Sequence, residues 1–241
     1  MNAAIRAVTR TALYHGIEVV GVQNGYQGMI EGHFRLLKSH MVSDIIQRGG
    51  TMLKSARSDM FRKEEGRSQA YEMVHEEGID GIVVIGGDGT FKGARMFSLE
   101  HNVPVVGIPG TIDNDLYGTD YTIGYDTALN TIVEAVDKIR DTASSHNRLF
   151  FIEVMGKDAG FLALRSGIAC GAEAILIPEI NRDTDSLRNH LEADYKRRKL
   201  SNIILVAEGD ETGGAFNIAE EVKEEFEGYD IRVTVLGHIQ R

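Results

Sequence analysis

The stretch Gly107-Ile-Pro-Gly-Thr-Ile-Asp-Asn-Asp115 concentrates more potential chemistry than any other part of the chain. Thr111, Asp113 and Asp115 present a hydroxyl and two carboxylates within five residues of a Gly/Pro-rich turn. The apolar run ahead of the turn, Val103 to Ile108, reads as a buried strand, so the turn should lie in the crevice at that strand's carboxyl end. A carboxylate there suits removal of a proton from a hydroxyl beside a bound phosphate. The same residues also suit an Asx-type turn, in which Asp and Asn satisfy nearby backbone groups.

A second loop, Gly86-Gly87-Asp88-Gly89-Thr90, follows the β-branched run Asp80 to Ile85 and precedes Phe91 to Leu99, which has helical apolar spacing. Strand, glycine loop and helix in that order make an anion site. Bare backbone admits phosphate oxygens, and the helix N-terminus offers free N–H groups. Asp88 adds a carboxylate where a magnesium–phosphate complex needs one. The loop lacks the G-x-G-x-x-G spacing of dinucleotide folds and the Lys-Ser/Thr that closes a P-loop. Taken alone, it is also compatible with an ordinary tight turn between strand and helix.

Helical and strand patterns alternate through the elements that must position these loops. Helices are expected at Ala3–Tyr14, Ala70–Val74, Thr127–Thr142, Gly160–Cys170 and Asp185–Arg198. Strands are expected at Glu18–Val22, Leu149–Val154, Ala174–Ile177, Asn202–Val206 and Arg232–Val235. The alternation implies an α/β protein with mostly parallel sheets covered by helices. The acidic run Ala219 to Glu227 puts Val222 and Phe226 on one side and carboxylates on the other, as a solvated helix does.

Among 241 residues, 26% are charged and 42% hydrophobic, with a formal charge of −10. That balance fits a soluble globular protein and argues against nucleic acid, which needs a basic face. No apolar run approaches membrane-spanning length and the first residues carry no signal-peptide core, so a cytoplasmic location is expected. The single cysteine, Cys170, excludes an intrachain disulfide and reads as inert core. A phosphate-handling chain of this charge must gather its cations locally, from Arg57, Arg140, Arg148, Arg232 and Arg241.

Together the two loops resemble those of the phosphofructokinase family. Met1-Asn-Ala-Ala-Ile-Arg6, Ser55-Ala-Arg57, Gly118 to Gly124, Ser144 to Arg148, Glu153-Val-Met-Gly156 and Val235 to Arg241 also resemble family segments, in the family's order. The resemblance implies two three-layer αβα lobes, with residues 1–124 forming an incomplete nucleotide lobe and 125–241 the sugar-phosphate lobe. It implies an active site between them that transfers phosphate from MgATP to the 1-hydroxyl of fructose 6-phosphate.

Carried over residue by residue, Arg57, Ser58, Gly87, Asp88, Gly89 and Thr90 would bind the nucleotide, with Asp88 on magnesium. Asp113 would be the general base, supported by Thr111 and Asp115. Thr111, Ile112, Met155, Gly156, Lys157, Glu208, His238 and Arg241 would contact the sugar phosphate. Arg148 and Arg232 would reach that phosphate from a neighbouring subunit, which implies an oligomer, a homotetramer. Arg6, Arg10, Arg140, Glu173, Arg197 and Lys199 would hold an ADP-type effector, although Ser39 stands where that site usually has an arginine.

Lys157 also departs from the pattern, because an arginine is usual there and an ammonium cannot make a planar bidentate clamp. Compared with the family, the chain starts at its first helix and stops at Arg241. The expectation is therefore a piece of a longer enzyme with little kinase activity of its own. Three other readings stand beside the leading one. A pyrophosphate-dependent relative is disfavoured by Gly89 and Gly110, where such members carry Asp and Lys. The NAD and diacylglycerol kinases share Gly-Gly-Asp-Gly-Thr but not Pro109 to Asp115. An inactive binding or regulatory subunit would keep only oligomer contacts, yet Asp88, Asp113 and Arg241 are intact.

Overall fold

The computed structural model describes residues 1–143, 148–180, 201–209, 214–225 and 230–241. They form two compact units, Met1–Gly110 and Thr111–Arg241, which part ahead of Gly124.

The first unit contains α1 (Asn2–Tyr14), β1 (Val20–Val22), α2 (Gly25–Ile30), β2 (Phe34–Leu36), α3 (Glu64–Glu76), β3 (Ile82–Gly86), α4 (Asp88–His101) and β4 (Val105–Pro109). Strands β3 and β4 run parallel, with Ile82 beside Val105 and Gly86 beside Pro109. That register brings both glycine-bearing strand ends side by side, and the Gly110 N–H donates to Gly86 O at 2.9 Å. The strand expected at Glu18–Val22 is present as β1, but its antiparallel partner β2 and the helix α2 were not legible in the sequence. Phe-Arg-Leu of β2 is too short to show an alternation.

The core of this unit joins Met29, Ile30, Phe61, Ala70, Val74, Phe97 and Val103. Tyr26 stacks on Phe61 with ring centroids 3.9 Å apart. Arg67, 4% exposed, crosses from α3 to α4. Its Nε and Nη2 donate to the two carboxylate oxygens of Glu100 at 2.6 Å, and its Nη1 donates to Phe61 O at 3.1 Å and Arg62 O at 2.8 Å. A planar guanidinium satisfied on this many sides is a fixed spacer between two helices.

The second unit contains α5 (Tyr125–Ala143), β5 (Arg148–Val154), α6 (Phe161–Ala169), β6 (Ala174–Leu176), β7 (Ser201–Ala207), α7 (Gly214–Glu225) and β8 (Asp230–Val235), then a 3-10 turn at Gly237–Gln240. Its sheet has the order β6-β7-β5-β8, with every pair parallel. The period-two alternation divides each inner strand between two helical layers. Phe150, Ile152 and Val154 of β5 and Ile203, Leu205 and Ala207 of β7 pack with Ala128, Ile132 and Val136 of α5 and Leu162 and Ala163 of α6. Leu149, Phe151, Ile204 and Val206 face Ala215, Ile218, Ala219 and Val222 of α7. This three-layer arrangement is the one the alternating pattern implies.

The helix expected at Asp185–Arg198 and the side chain of Phe226 lie outside the described residues. Cys170 caps α6 in a half-buried position, and burial pushes its thiol upward, away from the reactive thiolate. No helix among the described residues is long and apolar enough to cross a membrane.

The Arg67–Glu100 bridge gives a stability prediction. Glu100→Gln should lower the unfolding free energy of the first unit by about 1–2 kcal/mol, well below the range for a fully buried pair because Glu100 is exposed to solvent. The Arg67 guanidinium holds the Glu100 carboxyl below its ordinary 4.5. Its contribution is thus present above that value and lost as pH falls through the lower folded value. Urea titrations should show the wild-type advantage at neutral pH and its disappearance in acid.

Candidate functional site

The glycine loop of the first unit is built around a helix start. Gly87 caps α4, and Asp88 is the first helical residue. A Cβ on Gly86 would meet Thr90 Oγ1 at 2.4 Å, so the side chain of Thr90 covers that glycine and requires it. A Cβ on Gly89 would meet nothing within 4 Å, so this face of the loop is open. The Tyr26 hydroxyl donates to Thr90 O at 2.6 Å, and burial raises its pKa, keeping it a donor. Asp88 is exposed and pairs with Lys92 Nζ at 2.7 Å, one helical turn on. Arg57 is exposed on the preceding loop. Ser58 instead supports that loop: its Oγ donates to Gln27 Oε1 at 2.7 Å and accepts from the Phe61 N–H.

In the second unit the parallel register collects the remaining residues. Met155, Gly156 and Lys157 follow β5, Glu208 follows β7, and His238 and Arg241 follow β8, all at carboxyl ends of neighbouring strands. Open parallel sheets bind ligands there. Glu208 Oε1 accepts from the N–H of Lys157 at 2.8 Å and of Gly156 at 3.4 Å. The turn is tightly specified. Gly156 has φ +146 with Ala159 O only 2.4 Å from a would-be Cβ, and Lys157 sits at φ 54.

The acid loop belongs to the same unit. Thr111 Oγ1 donates to Asp113 Oδ2 at 3.2 Å and accepts from the Asp113 N–H at 3.3 Å. Asn114, at φ 53, accepts from the N–H and hydroxyl of Thr122 and donates to Asp120 O, which staples the loop. Asn114 thus closes the loop on residues six and eight positions away rather than through a local Asx turn, and Asp113 is left half-buried. Ile112 packs on the core and touches the space at Gly124. Burial raises the Asp113 pKa, and the carboxylates of Asp115 and Glu208 add to this. The Thr111 hydroxyl and the Arg241 guanidinium oppose it. Lys157 pairs with Asp158 at 3.3 Å, and Asp158, Asp115 and Asp113 hold its ammonium in the charged form. Asp113, Asp115, Lys157, Glu208 and Arg241 therefore share one electrostatic environment.

Arg148 and Arg232 do not join it. Arg148 opens β5, whereas Lys157 follows its end, so the two are separated by a strand of roughly 20 Å. Both arginines bind Asp230: Arg148 Nε at 2.9 Å, and Arg232 Nη2 at 3.0 and 3.1 Å. They hold the Asp230 carboxyl below its ordinary value. Asp230 was missed in the sequence, although Asp-x-Arg spacing places both side chains on one face of a strand.

Of the effector positions, Arg6 donates to Val42 O, and Arg10 donates to Ser39 Oγ at 3.0 Å, the serine replacing the expected arginine. Arg140 donates to Cys170 O and to Gly171 O, and Glu173 accepts from the Ile203 N–H at 3.2 Å. Arg197 and Lys199 lie outside the described residues.

The phosphofructokinase family model matches residues 1–241. An ATP-dependent 6-phosphofructokinase 2 from Bacteroides thetaiotaomicron is 59% identical, over 100% of this chain and 74% of the relative. The chain belongs to the phosphofructokinase family. A phosphofructokinase structure from Saccharomyces cerevisiae matches with a TM-score of 0.91 at 39% identity, covering 100% of this chain and 36% of that one. A pyrophosphate-dependent phosphofructokinase from Marinobacter aquaeolei matches with a TM-score of 0.85 at 24% identity, covering 100% of this chain and 65% of that one. The last likeness concerns fold alone.

In this phosphofructokinase-family chain the electrostatics of the acid loop can be tested directly. Thr111→Val removes a hydrogen bond that favours the Asp113 carboxylate, and Arg241→Met removes a favourable charge. Each should move the Asp113 pKa further upward in a 13C carboxyl titration. An unchanged midpoint in both variants would mean that neither group faces Asp113 in solution.

Proposed function

We propose that the protein is an ATP-dependent 6-phosphofructokinase, transferring the γ-phosphoryl group of MgATP to the 1-hydroxyl of fructose 6-phosphate. The observation that carries this reading is the half-buried Asp113 carboxylate, which shares the strand-end environment of Arg241, Lys157 and Glu208. A base set beside cations is what a phosphorylated alcohol acceptor needs.

In this reading Asp113 accepts the proton of the 1-hydroxyl as the new bond to phosphorus forms. Its raised pKa makes its carboxylate a better base than an ordinary aspartate. Thr111 orients the carboxylate, and Asp115 keeps it basic. Arg241, His238 and Lys157 hold the 6-phosphate. Lys157 acts there as a point charge, and its left-handed backbone fixes where the side chain leaves the turn. Glu208 spends Oε1 on the Gly156 and Lys157 amides, so Oε2 is the oxygen that would meet a sugar hydroxyl. Met155 and Gly156 supply the wall of the sugar site.

The donor side rests on the glycine loop. Free amides at the start of α4 suit phosphate oxygens, and the open face at Gly89 leaves room beyond the β-phosphate. A side chain at Gly110 would press on Ile85 at 3.0 Å and Met1 at 3.3 Å, so the lysine of pyrophosphate users fits poorly. Magnesium fits as well. It needs few protein ligands beside substrate phosphates, and Asp88 offers an exposed carboxylate held only by a surface ion pair. Bound there, the ion would neutralise charge on the transferring phosphate.

The pairing of Arg148 and Arg232 with Asp230, at the far end of the strands from Lys157, supports a supply of these arginines to a second copy's site. A homotetramer with shared active sites is the assembly we infer. An ADP-type effector at Arg6, Arg10, Arg140, Glu173, Arg197 and Lys199 is part of the same reading, with Ser39 removing one of its cations.

Assays of fructose 6-phosphate phosphorylation with ATP and with pyrophosphate test the donor; turnover supported by pyrophosphate alone would overturn it. Asp113→Ser should lower kcat about 10²–10⁴-fold, the range for loss of a positioned base, with a much smaller change in KM. In the wild-type enzyme kcat should fall as acid protonates Asp113, at a pH above that group's ordinary 3.8. An acid limb unaltered in Asp113→Ser would assign the titration to another residue.

A further inference from the structure

We infer that Gln240 is a positioning residue that joins the two segments carrying the sugar-phosphate contacts. This rests on the function proposed above and deepens it.

Gln240 is 2% exposed and ends the 3-10 turn Gly237–Gln240. Its Oε1 accepts from the Met155 N–H at 3.2 Å, and its Nε2 donates to Gly237 O at 3.0 Å. The chemistry of the partners fixes the amide's orientation, since an N–H needs the oxygen and a carbonyl needs the nitrogen. One amide thereby ties the strand end that begins Met155-Gly156-Lys157 to the turn that carries His238 and leads into Arg241. Leu236 and Met155, both buried, exclude water from the link. The N–H of Leu236 also donates to Glu153 O, so β8 enters the turn in fixed register with β5.

The substrate-facing residues of this turn, by contrast, are exposed: His238 and Arg241 have no core of their own to hold them. Without the Gln240 amide, the buried Met155 N–H would lose this acceptor and the partly buried Gly237 carbonyl would lose this donor. The turn would then be free to shift relative to the Lys157 loop. A 6-phosphate held from both segments at once would feel that shift directly, because contacts to a charged oxygen depend on both donors being in place. The nucleotide loop belongs to the other unit and takes no part in this link.

The experiment is calorimetric binding of fructose 6-phosphate and of MgATP to the purified protein and its variants, with steady-state kinetics in parallel. Gln240→Leu, of similar shape but without polar atoms, should weaken fructose 6-phosphate binding and raise its KM about 10-fold, the effect of losing one to two buried hydrogen bonds. The MgATP affinity and kcat should stay within about 2-fold, since neither the donor loop nor Asp113 depends on this amide. Gln240→Glu keeps the acceptor for the Met155 N–H and should recover part of the loss.

Equal loss of sugar and nucleotide binding would make Gln240 a general structural residue and overturn the inference. So would unchanged sugar affinity in Gln240→Leu. If that variant does not fold, Gln240→Glu decides: it loses the donor to Gly237 O when ionised, and wild-type sugar affinity in it overturns the inference. Failure of the wild-type protein itself to bind fructose 6-phosphate would overturn the proposed function, and the inference with it.

Discussion

The parallel register of β5 with β7 and β8 is the constraint on which the second unit depends. Arg148 lies beside both Ser201 and Asp230, and the pairing continues along β5 to Ala207 and Val235. Three strands that start in step also end in step, so Met155, Glu208 and Leu236 leave the sheet as neighbours. Burial on both faces enforces this register. Shifting β5 by one residue would send Leu149 and Phe151 toward α5 and α6, and Phe150 and Ile152 toward α7. Each side chain is shaped for its own layer, and the cost of exchange is spread over the whole core. The position of the site is therefore set by apolar packing, which Met155 and Ile112 join from the proposed site while the charged residues do not.

Upon that frame the strand ends add local locks. Glu208 ties the β7 end to the β5 end through two amides, and Gln240 ties the β8 turn to the β5 end through one. Gly209 is required where the first lock closes, because a Cβ there would lie 1.8 Å from Lys157 O. Asn114 gives the acid loop its own closure independent of the sheet. The result is a set of carboxylates held near one another against repulsion. Burial first, and then the neighbouring carboxylates of Asp115 and Glu208, push the Asp113 pKa upward. In a chain of net charge −10, Lys157 and Arg241 bring positive charge to this cluster of carboxylates.

The sequence made the sheet-forming runs legible because they are long, apolar and bounded by glycine. Leu149–Val154 needed only periodicity and length to be read as a buried strand, whereas Val103–Ile108, read the same way, forms a strand on which Val106 is 63% exposed. The loops at Gly86–Thr90 and Gly107–Asp115 were legible because glycine and acid in such density serve few purposes besides turns and sites. What stayed hidden is of another kind. The strand β2, partner of the expected β1, is too short to leave a pattern. Arg67, Asp230 and Gln240 are single polar residues whose meaning lies in partners distant in sequence: Glu100, Arg148 and Met155. No local spacing records such a partner, and composition counts a buried arginine as one more surface charge. Ser58 shows the converse. Its place in a matching motif suggested the nucleotide, but its hydroxyl is engaged by Gln27 and Phe61 within its own loop.

The two ends of the second unit's sheet bear opposite electrostatic arrangements, and the difference constrains the proposed assembly. At the carboxyl ends, carboxylates outnumber cations and one of them, Asp113, is pushed toward protonation. At the start of β5 and β8, two guanidiniums share the Asp230 carboxylate, whose pKa is pushed the other way. The two guanidiniums are held in place there by charge-assisted hydrogen bonds. A phosphate offered by a second copy would meet pre-aimed donors and would have to compete only with an exposed carboxylate, whose hold on them is weakened by solvent. Because the strand keeps the two clusters apart, one copy cannot use both on a single sugar phosphate. Related by a two-fold axis, two copies could each complete the other's site through the same patch. The sheet that gathers the site in one chain would then also dictate that the site needs two.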